Sequence, residues 1–104
     1  MKKFMLIYRA DMQEAAKMGA QMTPEQVAEM NAAWMAWGGK VGKSLLDFGN
    51  PTMPTAFSKD TTVGGYSIIE AETAEKAHEL LEGHPHLAMG GEIDIYEIIA
   101  TPGM

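Results

Sequence analysis

Cysteine is absent from this chain of 104 residues, which excludes a disulfide framework, a thiolate nucleophile and any cysteine-based zinc site. Basic charge is scarce as well. Arg9 is the only arginine, the lysines are scattered and the formal net charge is −6, so no clustered basic face exists to neutralise a phosphate backbone. Nucleic acid is not an expected partner. Long apolar runs are missing too: the stretch Phe4 to Tyr8 is cut off by Arg9, short of the ~7–15 residues of a secretion-signal core and far short of a membrane span. These absences point to a cytoplasmic protein with no membrane contact. What is present is a 46% hydrophobic composition, enough for one core, and the expectation is a single domain over residues 1–104. Ten methionines are many for this length. A methionine-rich surface suits promiscuous binding, but Met5, Met30 and Met53 fall in or beside apolar patterns, so core filling is the favoured expectation.

Along the chain, Lys3 to Arg9 reads as a strand that is apolar on both faces, with Phe4, Leu6 and Tyr8 on one side and Met5 and Ile7 on the other. Ala10 to Met22 is alanine-rich and polar, and reads as a long connection with at most a frayed turn or two of helix. The stretch "MTPEQV" then writes a helix start in full. Thr23 is the N-cap, Pro24 takes the first helical position, Gln26 closes a capping box, and Met22 with Val27 forms a hydrophobic staple. The stripe Val27, Met30, Trp34, Trp37 and Val41 keeps helical spacing until Gly38, Gly39 and Gly42 supply possible stops. Ser44 to Phe48 is a short strand ended by Gly49 and Asn50-Pro51, and Pro51 and Pro54 leave residues 52–61 as a loop or edge hairpin. "VGGYSIIE" is a third strand whose paired glycines predict a bulge or a close backbone approach. Thr73 caps a second main helix, Ala74 to Glu82, with Ala74, Ala77 and Leu81 inward, His78 at the stripe's margin and Gly83 as the stop. Ile93 and Ile95 alternate with Asp94 in the last strand.

The order β-α-β-β-α-β predicts an α+β fold of ferredoxin-like type, a four-stranded antiparallel sheet with two helices on one face. The second face carries apolar residues and has no helix to cover it. A second copy of the same sheet is the self-complementary solution, so a homodimer through the open sheet face, forming a dimeric α/β barrel, is expected.

The segments "TPEQ", "AWMAWGGKVG", "LLDFGNP", "VGGYSIIEAET", "GHPHL", "GGEIDIYEI" and "TPGM" resemble the YCII-related (YciI-like) domain family. The resemblance runs from the first strand to the last methionine. It implies the dimeric α/β-barrel form of the ferredoxin-like fold and a small enzyme or small-molecule binder. It also implies, for members linked to chemistry, a histidine and aspartate pair, used in one branch for dehalogenation of a chlorinated aromatic. This chain departs from that pattern. Its first main helix has no histidine, with Asn31, Ala32 and Trp34 in that region, and "KDTTVGGY" stands where a sister branch has "DGPF".

Topology predicts which polar residues meet. The ends of strands one and two, the starts of helix one and strand three, and the loop after helix two converge on one edge, with Arg9, Asp11, Thr23, Asn50, Asp60, His84 and His86; Asp47 and Tyr8 lie just below. General acid–base work needs a histidine within hydrogen-bond reach of its partner. The catalytic candidates are therefore His84, His86 and Asp47, with Asp60 as a second possible orienter, and the ligand-binding candidates are Tyr8, Arg9, Trp34 and Asn50. A plainer reading of His84-Pro85-His86 stands beside this one: a helix exit, with Pro85 holding His84 extended and histidine favoured near a helix C-terminus. His-x-His lacks a third ligand by spacing, so neither metal nor cofactor is implied. Trp34 and Trp37 read as core or dimer contacts, or alternatively as the wall of a ligand cleft. Glu72, Glu75, Glu79 and Glu82 read as a solvated face. Two functions remain open: a lyase- or hydrolase-type enzyme with a histidine-centred cleft, and a non-catalytic dimeric small-molecule-binding or regulatory module.

Overall fold

The computed structural model describes residues 1–103 and holds the element order β1 (Lys2–Arg9), α1 (Met12–Gln21), α2 (Pro24–Val41), β2 (Leu45–Asp47), β3 (Val63–Ala71), α3 (Ala74–Glu79), α4 (Pro85–Ala88) and β4 (Glu92–Ile98). The strands form one antiparallel sheet in the order β2-β3-β1-β4, as expected for the ferredoxin-like arrangement. Two helices were missing from the sequence expectation. The connection after β1 is a full helix, α1, because the Asp11 carboxylate accepts hydrogen bonds from the amides of Gln13 and Glu14 and starts it. The second is α4, described below.

Helix α2 begins as its sequence dictates: the Gln26 amide donates to Thr23 Oγ1 at 3.1 Å, and the Thr23 amide donates to Gln26 Oε1 at 2.9 Å. It passes through Gly38 and Gly39 and stops only at Gly42. The predicted bulge sits at Gly64, since Tyr8 pairs with Gly65 and Arg9 with Val63. Helix α3 is shorter than expected; Ala77 and Leu81 are buried, while Ala74 and His78 are exposed.

The core lies between the sheet and the helices. Phe4, Leu6, Tyr8, Ile69 and Ala71 from the central strands meet Trp37 and Val41 of α2 and Ala77 and Leu81 around α3. None of the described methionines is buried, contrary to the core-filling expectation. Branched and aromatic residues with Ala71 and Ala77 fill the core, and Met18, Met22 and Met89 line a groove of about 360 Å³ where the end of α1 and the start of α2 meet the turn after α4. On the other side of the sheet no element packs among the described residues. Met5 lies between Ile68 and Tyr96, and Ile7 between Tyr66 and Asp94, with Tyr96 50% and Ile98 42% exposed.

Candidate functional site

The histidine segment does not leave a helix but starts one. His84 holds the extended backbone expected before proline (φ −64°, ψ 129°), Pro85 occupies the first helical position, and His84 Nδ1 accepts the amide of His86 at 3.0 Å. His84 is therefore an N-cap, and the expected dipole contact at a helix C-terminus gives way to this one. An amide can only donate, so Nδ1 carries no proton and the neutral ring carries it on Nε2.

From that nitrogen a one-directional chain follows. His84 Nε2–H donates to the Tyr8 hydroxyl (3.2 Å), Tyr8 donates to Ser67 Oγ (2.7 Å), and Ser67 donates to the carbonyl of Phe48 (2.6 Å). Every donor is used and the chain ends on an acceptor. The rings around it close the volume: Trp37 lies 4.3 Å and Trp34 4.6 Å from the His84 ring centroid, the latter edge-on at 89°. His84 is 1% exposed. Burial, helped by the neighbouring His86, pushes its pKa down to about 4, and burial pushes the Tyr8 phenol up to about 12 against the opposing Ser67 hydrogen bond. Both groups are neutral near pH 7.

His86 stands differently. Its Nε2 lies 2.9 Å from the Arg9 carbonyl oxygen, which only accepts, so Nε2 bears the proton and the Nδ1 of the neutral ring is the basic nitrogen. Among the described residues nothing hydrogen-bonds that Nδ1, and the residue is half-buried. The ring rests flat on Gly91: a Cβ there would meet its atoms at 2.3–2.6 Å. Gly90 and Glu92, on either side of Gly91, line an open cleft of about 710 Å³ together with Arg9, Asp11, Met12 and Thr62.

The structure thus brings together Tyr8, Trp34, His84 and His86, the four that share the helix-covered side of the sheet end. It does not bring the side chains of the other candidates to them. Asp47 is exposed and its carboxylate accepts the amide of Gly49 at 2.8 Å, closing the turn after β2. Asn50 is exposed, and its backbone carbonyl approaches Gly65. Arg9 projects to the opposite face, where its guanidinium hydrogen-bonds Asp94, Asp60 and, at 3.0 Å, Thr62 Oγ1. The Asp94 and Asp60 carboxylates hold its pKa up. The Thr62 hydroxyl and amide, and then Arg9, bring Asp60 down to about 2. Among the described residues no carboxylate hydrogen-bonds either ring of the His84–His86 pair. Ser67 and Gly91 escaped the sequence reading. Ser67 left a signal, the one hydroxyl on the β3 face that otherwise carries Gly65, Ile69 and Ala71.

No curated protein matches the chain. Among solved structures it is similar to the 5-chloro-2-hydroxyhydroquinone dehydrochlorinase of Burkholderia phenoliruptrix AC1100 in complex with 2,5-dihydroxybenzoquinone. The TM-score is 0.55 and the identity 21%, over 94% of this chain and 95% of the other, a likeness of fold. The YCII-related domain model matches residues 2–101, nearly the whole chain, and the protein belongs to the YCII-related domain family.

Proposed function

We propose that the protein is a homodimeric, cytoplasmic small-molecule enzyme of lyase or hydrolase type in which His86 is the proton shuttle. One observation carries this reading: of the two clustered histidines, His86 alone has a ring nitrogen without a hydrogen-bond partner among the described residues, in a tautomer set by the Arg9 carbonyl. An imidazole whose Nδ1 is open to a ligand meets the geometric demand for general acid–base work. His84 supports it through the amide hydrogen bond, and the half-buried Trp34, packed at 87° against the buried Tyr8 ring, offers an aromatic surface to a planar substrate. The likeness to a dehydrochlorinase holding a dihydroxyquinone favours a hydroxylated ring compound as the first class to try.

A second reading has its own support. No carboxylate among the described residues orients His86, and Asp47 is held by Gly49, which suits a binding or regulatory module that uses the same cleft without turnover. Titration with 2,5-dihydroxybenzoquinone, followed at the His86 ring by NMR, together with an assay of chloride release from a chlorinated hydroxyhydroquinone, separates the two. The enzyme reading expects His86 resonances to move, and turnover to fall by about 10²-fold or more in His86→Gln. Binding that moves Tyr8 and Trp34 signals with no turnover of any tested ring compound supports the module. A His86→Gln variant with undiminished turnover overturns the shuttle.

A further inference from the structure

The carbonyl that sets the His86 tautomer belongs to Arg9, whose side chain is tied down on the other face of the sheet. Its guanidinium reaches Asp94 on β4 and both Asp60 and Thr62 in the loop before β3, while the next amide, Ala10, donates to the Thr62 carbonyl at 2.9 Å. These ties fall where the ladder is weakest. Arg9 ends β1, pairs with Glu92 and Val63, the first residues of β4 and β3, and follows a bulge. A backbone at such an end frays unless side chains hold it. The planar fork of arginine can engage two carboxylates at once, which lysine's single ammonium does less well.

From this we infer that Arg9 is a positioning residue for His86: the Asp60–Arg9–Asp94 clamp fixes the Arg9 carbonyl, and that carbonyl with the bare Cα of Gly91 seats the imidazole with Nε2 protonated and Nδ1 free. The inference rests on the reading of His86 as the working ring. It assigns the arginine a task that needs no ligand, since its Nε and Nη1 donors are already engaged by protein oxygens. Gly91 supplies the steric half of the seat, because any side chain there occupies the space of the ring.

The test is made on the ligand-free protein by nitrogen-15 NMR of the histidine rings near neutral pH. In the parent protein the two His86 ring nitrogens are expected to be well separated in shift, and the Nε2–H proton to be observable because its hydrogen bond slows exchange with water. Arg9→Gln and Arg9→Lys are expected to abolish the His86 Nε2–H signal and draw the two nitrogen shifts together, while the His84 ring signals persist. Should Arg9→Gln not fold, Asp60→Asn, which loosens one arm of the clamp, is expected to speed Nε2–H exchange several-fold. Gly91→Ala, which displaces the ring directly, calibrates the loss. Unchanged His86 signals in folded Arg9→Lys and Asp60→Asn overturn the inference. No turnover enters these readouts, so the seat of the ring and its use as a shuttle stand or fall separately.

Discussion

Tyr8 is the hinge of the buried polar chain, because its hydroxyl is at once the acceptor for His84 and the donor to Ser67. In Tyr8→Phe the ring still fills its place, but His84 Nε2–H loses its acceptor inside the core. The expected cost is about 1–3 kcal/mol, read as a lower midpoint in urea with an unchanged slope. His84 links stability to pH. Its pKa is about 4 in the folded chain against 6.5 unfolded, so between those values the unfolded state binds a proton that the native state refuses. Stability is full above pH 6.5, falls as the pH drops toward 4, and then loses nothing further from this group. The total is roughly 3 kcal/mol at 1.36 kcal/mol per pKa unit. Thermal melts across this range check the sign, and a His84→Gln variant should flatten the slope.

At the scale of elements, the turn after β2 decides whether the Phe48 carbonyl reaches Ser67. Gly49 holds that turn with φ +78°, and a Cβ there would lie 1.7 Å from the Tyr66 carbonyl oxygen. The strain of a left-handed non-glycine residue alone costs about 1–3 kcal/mol, and the clash adds to it, so Gly49→Ala is expected to lose more than about 2 kcal/mol. A denaturation midpoint equal to the parent's would refute this. Helix α2 was legible because capping box, proline and apolar stripe agree. Helix α1 was not, although Asp11 and Glu14 form a start signal of the same spacing, because it holds no branched or aromatic apolar residue to mark a packed face, and none of its residues is buried. Helix α4 is four residues long and has no periodicity to detect; only its proline marks it.

For the whole molecule, the decisive feature is the sheet face that no helix covers. Met5, Ile7, Tyr66, Ile68, Tyr96 and Ile98 share it by register, with Arg9 and its carboxylates at one end and Lys3 with Glu70 at the other. Pairing of two such faces about a two-fold axis is the proposed assembly. Burying an unpaired carboxylate there is prohibitive, so Ile68→Asp is expected to sediment as a monomer at concentrations where the parent sediments as a dimer. A parent chain that stays monomeric at every accessible concentration sinks the proposal. The alternation of apolar residues on both sides of β1 already exposed this face in the sequence, before any partner for it could be seen.

Local pattern by itself determined the order of strands and main helices along the chain, the α2 cap, a bulge or close backbone approach at the Gly64-Gly65 pair and the two-sided β1, because each depends on residues a few positions apart. The roles of the two histidines could not be read there. His84 and Tyr8 meet across 76 positions, Tyr8 and Ser67 across 59, His86 and Arg9 across 77, and Arg9 and Asp94 across 85. Only the folded sheet brings such partners within hydrogen-bond distance. Burial in that sheet, more than residue identity, makes one imidazole a neutral strut and leaves its neighbour a free nitrogen.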